Sequence, residues 1–268
     1  MSATHLDRLV ASALEQMSDR AARTPIAEVR SRASAAAAPR PFAAAVRAAK
    51  ERGRAVVAEV KRSSPSRGAI APDLHPGRIA AAYERGGAAC LSVLTDRANF
   101  GGSLEDLASA RTACTLPVLR KDFLVTPYQI YEARAYGADA VLLIAAALKP
   151  PVLAELRALA RELRMDVLLE IHAEEELDVA RGAEPDLLGI NARNLKTLVV
   201  RPETFAYLAP RAHGIAPHVA ESGIRTAADA QRYLDLGADA LLVGEALSGS
   251  AEPESASPTS IASAPSSA

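Results

Sequence analysis

The tetrapeptide Gly-Ala-Asp-Ala stands twice in this chain, at 137–140 and 237–240, and Gly-Ala alone recurs at 87–88 and 182–183. The copies fall about 50 residues apart, the length of two strand–helix units. Each follows a stretch of helical periodicity and precedes a short run of Val, Leu, Ile or Ala. Glycine suits the position just past a helix end, and a continuous apolar run suits a strand buried on both faces. The wider pattern agrees. Apolar runs predict strands near 55–60, 89–94, 117–120, 139–145, 166–170, 186–190, 218–221 and 239–243. Helical patterns lie between them near 76–86, 103–113, 127–136, 150–164, 173–182, 202–209 and 226–236. This alternation predicts an α/β fold, a (β/α)8 TIM barrel. An open doubly wound sheet is the runner-up. It would gather its ligand at one switch point with one Gly-rich loop, whereas the polar residues here are spread over many strand ends.

Three segments precede the first strand. Leu6, Leu9, Val10, Ala13, Leu14 and Met17 make one stripe on a helix over 5–18, and Pro25 interrupts it. An Ala-rich helix over 26–37 ends before Pro39 and Pro41, and a third runs from Phe42 to Arg52 and closes at Gly53. Residues 1–53 are therefore expected to be a helical extension packed on a barrel of residues 54–247. Residues 248–268 are Ser, Ala, Pro, Glu and Thr with one isoleucine. Such a segment buries too little apolar surface to offset its ordering entropy. A disordered tail is expected where an eighth helix belongs.

Charge excludes some functions. With 31 basic and 32 acidic side chains the net charge is −1, which argues against non-specific nucleic-acid binding. The opening residues carry no apolar signal core, and no apolar run reaches the ~20 residues of a membrane span. Cys90 and Cys114 are far apart in sequence and read as buried thiols of a cytoplasmic protein. His5, His75, His172, His213 and His218 show no metal-ligand spacing. The expectation is a cytoplasmic monomer acting on a small molecule, with no metal, cofactor, nucleic acid or membrane partner.

Barrel active sites sit at the carboxyl ends of the strands. Glu59 and Lys61 end the first strand, two residues apart and so on one face. A lone pair of this kind reads as a surface ion pair. The other strands change that reading. Lys121 ends the third strand, Glu170 the fifth, Asn191 the sixth and Glu221 the seventh. Together they supply amines as general acids and a carboxylate as base. A Schiff-base lysine remains open. Ser222-Gly223 after strand seven and Gly244 after strand eight suit a phosphate. Ser64 adds a hydroxyl from the first loop, and Arg193 a charge from the sixth. His172 reads as a helix-start residue.

These stretches, taken together, resemble the indole-3-glycerol phosphate synthase family. The matching segments are Ala58-Glu59-Val60-Lys61-Arg62-Ser63-Ser64-Pro65-Ser66, Leu91 to Asp96, Val118-Leu119-Arg120-Lys121-Asp122-Phe123 and Pro127 to Arg134. Asn191 to Leu195, Ala220-Glu221-Ser222-Gly223-Ile224 and Val243 to Leu247 complete the set. The resemblance implies a barrel with N-terminal helices near its mouth. It implies closure of 1-(2-carboxyphenylamino)-1-deoxyribulose 5-phosphate to an indole with loss of carbon dioxide and water, without cofactor or metal. Lys121 matches the general acid of ring closure. Lys61 matches the lysine near the substrate carboxylate, also an acid for dehydration. Glu170 matches the general base. Glu59, Asn191, Glu221 and Ser222 match further active-site positions. Ser64, Phe123, Arg193, Ser222, Gly223 and Gly244 are the expected substrate- and phosphate-binding set. Two alternatives stay open. One is another sugar-phosphate barrel enzyme. The other is a folding-impaired or truncated barrel that binds phosphate without catalysis, suggested by the missing final helix and by a seventh strand that is only weakly apolar.

Overall fold

Eight parallel strands close on themselves, each hydrogen-bonded to its neighbours in chain order, with the last paired to the first. They are β1 (Val56–Val60), β2 (Cys90–Leu94), β3 (Val118–Lys121), β4 (Ala140–Ile144), β5 (Asp166–Ile171), β6 (Leu187–Asn191), β7 (His218–Glu221) and β8 (Ala240–Val243). The structure is a computed structural model that describes residues 4–53, 55–65, 68–248 and 258–262. Closure removes sheet edges, and the helices outside cover the outer face. The strands lie within a residue or two of their expected bounds because each is a short, largely apolar run.

The extension comprises α1 (His5–Arg23), α2 (Ile26–Ala35) and α3 (Phe42–Glu51). It runs from one end of the barrel to the other. Helix α1 sits at the mouth, where Leu6, Leu9 and Ala13 pack with Phe123 and Ile144. It begins with a capping box in which Thr4 and Asp7 bond each other's backbone. It is tied down by Gln16 to Asp96 at 3.0 Å and by Arg20 to Glu132 at 2.6 Å. Helix α3 plugs the opposite end. Its Phe42 and Val46 are fully buried against the inward side chains of the strands, and Ala43 N–H donates to Asp166 at 2.8 Å. Cys90 Sγ donates to the Phe42 carbonyl at 3.6 Å, and burial pushes that thiol well above its usual range.

The outer helices are α4 (Pro76–Arg85), α5 (Leu104–Ala113), α6 (Pro127–Ala135), α7 (Pro150–Glu162), α8 (Leu177–Ala183), α9 (Glu203–Leu208), α10 (Ala227–Asp235) and α11 (Glu245–Ser248). Proline opens α4, α6 and α7, at the first-turn position where its missing N–H costs nothing. Gly87, Gly137 and Gly237 take left-handed backbone just past their helices, as the repeat predicts. The copy at 182–183 does not. It lies in the last turn of α8, and Glu184 takes the left-handed position instead.

The aspartate of the repeat has its own work. Asp139, just before β4, accepts from Val118 N–H at the start of β3 at 2.8 Å. Asp239, just before β8, accepts from His218 N–H at the start of β7 at 2.6 Å. Asp186 does the same for Val167 of β5 at 2.8 Å. Each carboxylate satisfies a strand-entrance N–H that the ladder leaves over.

The expected tail needs correcting. Ser248 belongs to α11, is 1% exposed, and donates from Oγ to the Glu59 carbonyl of β1 at 3.1 Å. Residues Pro258–Ala262 form a further helix, α12, that packs on α10 and β1. Its Ile261, the one isoleucine of the segment, joins the outer apolar core. A single β-branched anchor beside a proline-started turn suffices for a short helix where the surface beneath it is apolar. The rest of the expected tail, 249–257 and 263–268, lies outside the described residues, as does Ser66 of the first loop.

Asp139 also accepts from Arg40 N–H at 2.7 Å and pairs with Arg111 at 3.0 Å. Asp139→Ala is expected to lower the unfolding free energy by about 3 kcal/mol, the cost of orphaned buried donors and a broken ion pair. Urea melts measure this. Turnover per folded molecule should stay within about twofold, because the residue sits at the end away from the mouth.

Candidate active site

The mouth is charged because the glutamates and lysines of the strands stand at or near their carboxyl ends. Glu59, Glu170, Asn191 and Glu221 are each at most 7% exposed. Strand register brings them level. Glu59 lies opposite Ser92, Ile144 opposite Glu170, Glu170 opposite Gly189, and Asn191 opposite Glu221.

Two amines are held among these carboxylates. Lys61 Nζ lies 2.5 Å from Glu59 Oε1. Lys121 Nζ lies 2.8 Å from Glu170 Oε2 and 3.2 Å from Glu221 Oε2. Burial alone would pull the Lys121 ammonium down, but the charges of Glu170, Glu221 and Glu59 outweigh it and raise its proton affinity. Burial pushes Glu170 up, yet Lys121 and then His172 overcome this and hold it well below the usual carboxylate range. Glu221 goes the other way. Burial raises it, Lys121 opposes, Glu170 adds to the rise, and it is pushed up to about 8. The site thus holds a cationic amine between one ionised carboxylate and one that keeps its proton at neutral pH.

Two glycines make this approach possible. A Cβ at Gly189 would stand 2.2 Å from Glu221 Oε1. A Cβ at Gly244 would stand 2.2 Å from Glu59 Oε1 and 2.9 Å from Lys61 Nζ. Either contact is far inside van der Waals range, so a side chain there would move the carboxylate.

All the residues expected to carry chemistry line one cavity. Glu59, Lys61, Ser64, Lys121, Phe123, Glu170, Asn191, Arg193, Glu221, Ser222, Gly223 and Gly244 all face it. Ser64 lies in a two-residue ribbon, Ser63–Ser64, paired antiparallel with Gly68–Ala69. Arg193 Nη1 donates to the Leu198 carbonyl at 3.1 Å, and its backbone N–H donates to Asn191 Oδ1 at 2.9 Å. Ser222 and Gly223 both take left-handed backbone, with φ of 68° and 78°. For serine that conformation costs about 1–3 kcal/mol, a strain typical of ligand-binding turns. Among the described residues no cluster of three or more His, Cys, Asp or Glu is arranged to hold a metal.

Other contributors escape a linear reading. Arg120, fully buried, points away from Lys121 and is gripped by Asp122 at 2.9 Å, Glu132 at 3.0 Å, Thr95 at 3.1 Å and the Gln129 carbonyl at 2.9 Å. It anchors the end of β3. His5 and Leu9 reach the cavity from α1, and Phe100 reaches it from the one-turn helix after β2. His172 is more than a helix-start residue. The next helical turn begins at Glu174, and the His172 ring lies 3.0 Å from Glu170. Burial lowers its proton affinity, but Glu170 and Glu176 outweigh that and raise it to about 9. The two-residue spacing from Glu170 was the available sign, since it places His172 beside the base.

The fold and the site define a (β/α)8 barrel enzyme with paired acid and base groups at the strand ends. A sequence profile described as Indole-3-glycerol phosphate synthase matches residues 6–258. The chain belongs to the indole-3-glycerol phosphate synthase family, the carbon–carbon lyases of tryptophan biosynthesis. It is 50% identical over 255 residues to the indole-3-glycerol phosphate synthase of Mycolicibacterium gilvum (strain PYR-GCK), covering 95% of this chain and 93% of that one. It is 49% identical over 249 residues to the Chromobacterium violaceum enzyme of the same name, covering 92% and 94%. Among solved structures, the thiamine phosphate pyrophosphorylase of Pyrococcus furiosus aligns with a TM-score of 0.58 at 19% identity, over 79% of this chain and 95% of that one. The 3-hexulose-6-phosphate synthase of Salmonella typhimurium aligns at 0.61 with 12% identity, over 77% and 96%. At such identities these structures speak for the barrel alone.

Gly189→Ala is expected to push Glu221 off Lys121 and lower kcat about tenfold or more, with a melting shift of only a few degrees. Steady-state kinetics beside a thermal melt checks it. Stability should also depend on pH. Folded Glu221 (about 8, against 4.5) and folded His172 (about 9, against 6.5) both bind protons more tightly than the unfolded chain. The folded state therefore holds extra protons between those values, and stability falls as pH rises. Urea melts should show a decline from pH about 4.5 to about 9, steepest between about 6.5 and 8 where both groups contribute, and His172→Gln with Glu221→Gln should flatten it.

Proposed function

We propose that this chain closes the indole ring of 1-(2-carboxyphenylamino)-1-deoxyribulose 5-phosphate, with the roles divided among the residues of the mouth. The observation that carries the proposal is Lys121, an ammonium 2.8 Å from one buried carboxylate and 3.2 Å from another, on the same cavity as Glu59 and Lys61. Ring closure needs a proton delivered to a carbonyl oxygen while an aromatic carbon attacks the carbonyl carbon. Lys121 is the acid. Loss of carbon dioxide then begins to restore the ring, with Lys61 beside the departing carboxylate. Loss of water needs an acid at the hydroxyl and a base that takes a proton from the substrate. Lys61 serves as the acid and Glu170, held ionised, as the base. Glu59, Asn191 and Glu221 position the substrate.

The phosphate goes to the rim formed by Ser64, Ser222, Gly223 and Gly244. Left-handed backbone of the kind found at 222–223 is a feature of turns that offer backbone N–H groups to an anion, which supports that placement. Phe123 and Arg193 flank the substrate. A Schiff-base role for Lys121 fits the site poorly, because the ionised Glu170 beside it favours the protonated amine and a nucleophilic amine must be neutral. The same reading makes the protein a cytoplasmic monomer with no nucleic-acid partner, in keeping with its near-balanced charge.

The test is turnover of the purified chain, followed by indole fluorescence. Wild type is expected to form product, and Lys121→Ala to lose at least about 10²–10⁴ of kcat while keeping its melting transition. A well-folded wild type without turnover overturns the proposal. Borohydride trapping of a lysine adduct would assign the site to aldolase chemistry instead.

A further inference from the structure

Glu170 and Glu221 approach the same ammonium at nearly the same distance, 2.8 and 3.2 Å, and both are at most 2% exposed. Contact with Lys121 alone does not decide which of them is the base. The far oxygens differ. Glu170 Oε1 lies at ion-pair distance, 3.0 Å, from His172 Nε2, without the alignment of a hydrogen bond. Glu221 Oε1 has no hydrogen-bond partner among the described residues and lies against Gly189.

His172 is itself braced. Its backbone N–H donates to Glu176 Oε2 at 2.8 Å, and Nδ1 lies 3.7 Å from that oxygen. Among the described residues, the ion pairs to the ring come from Glu170 near the end of β5 and Glu176 on the following turn. Lys121 and Glu221 reach it through Glu170. The ring does not line the cavity, so any effect on the reaction passes through Glu170.

We propose that His172 is a positioning residue that makes Glu170 the ionised carboxylate beside Lys121 and leaves the proton on Glu221. The proposal rests on the acid–base reading of the site given above. Two carboxylates that share one cation in a dry site ionise together only at high cost. A second cation on one of them breaks the tie. Glu170 receives that cation and Glu221 does not. The opposite directions in which the two carboxyl groups are displaced agree with this assignment.

The test has a spectroscopic arm and a kinetic arm, both on the full chain. Histidine ring NMR tracks the five histidines across pH. One resonance, missing in His172→Gln, is expected to stay protonated to about pH 8 in wild type and to titrate at least about one unit lower in Glu170→Gln. In the kinetic arm, wild type is compared with His172→Gln and His172→Ala. The acid limb of kcat is expected to move up by about one pH unit or more in both variants. On the acid side of the limb that corresponds to about a tenfold or larger loss of kcat, which vanishes well above the limb, with KM within about threefold. A histidine titrating near 6.5 in wild type overturns the proposal. So does an equal loss of kcat at every pH, which is what a merely structural role would give. Should the His172 variants fail to melt cooperatively, Glu176→Gln replaces them. It is expected to lower the same histidine titration, and an unmoved resonance there overturns the idea. The spectroscopic arm needs no turnover, so an inactive wild type would reject the proposed function without touching the pairing.

Discussion

A buried ammonium needs counter-charge, and the mouth of this barrel is organised to supply it. Lys121 has a side chain 13% exposed and stands between two buried glutamates. The arrangement demands that three strands end level, so that β3, β5 and β7 deliver Lys121, Glu170 and Glu221 to one point. Register in a barrel is set by closure, and shifting one strand by a residue would turn its charged side chain from the mouth to the helix layer. The charge cluster and the strand register therefore depend on each other. Arg120 completes the arrangement from behind. It faces the opposite side of β3 and holds the strand end through Asp122 and Glu132.

Much of this can be read from the chain itself. Strands and helices announce themselves because each is short, apolar or periodic, and fenced by glycine or proline. The acids and amines of the mouth stand at or near the carboxyl ends of the apolar runs of β1, β3, β5 and β7, where a linear reading finds them. What cannot be read is anything that depends on which side chains meet. Glu170 and Glu221 look alike in sequence, two glutamates each at the end of an apolar strand. Their different protonation comes from His172 and Gly189, which become neighbours only in the folded barrel. Gly189 inside a strand looks like a weak point. In the structure it is the space that lets Glu221 reach Lys121. The helix at Pro258–Ala262 is hidden for a related reason. Its composition is that of a tail, and the apolar surface that orders it lies on α10 and β1, far away in sequence.

The N-terminal extension joins the two ends of the barrel in one stretch of chain. Helix α1 contributes Leu9 and His5 to the cavity, and α3 fills the opposite opening with Phe42 and Val46. Substrate access and core closure are thus built from the same segment, with the ion pair from Arg20 to Glu132 linking α1 to the network behind Lys121.

The aspartates at the strand entrances divide the barrel into quarters. β3 with β4, β5 with β6, and β7 with β8 are each stitched by a carboxylate that precedes the second strand and binds the first. The quarter made of β1 and β2 has no such stitch, for Ala89 stands where the aspartate would be. Its entrance is closed from outside, by the Phe42 carbonyl over Cys90. Three quarters of the barrel thus carry their own fastening, and the fourth borrows one from the extension. Residues before β1 are in that sense part of the barrel wall, and a chain begun at β1 would hold that entrance by the β1–β2 backbone ladder alone.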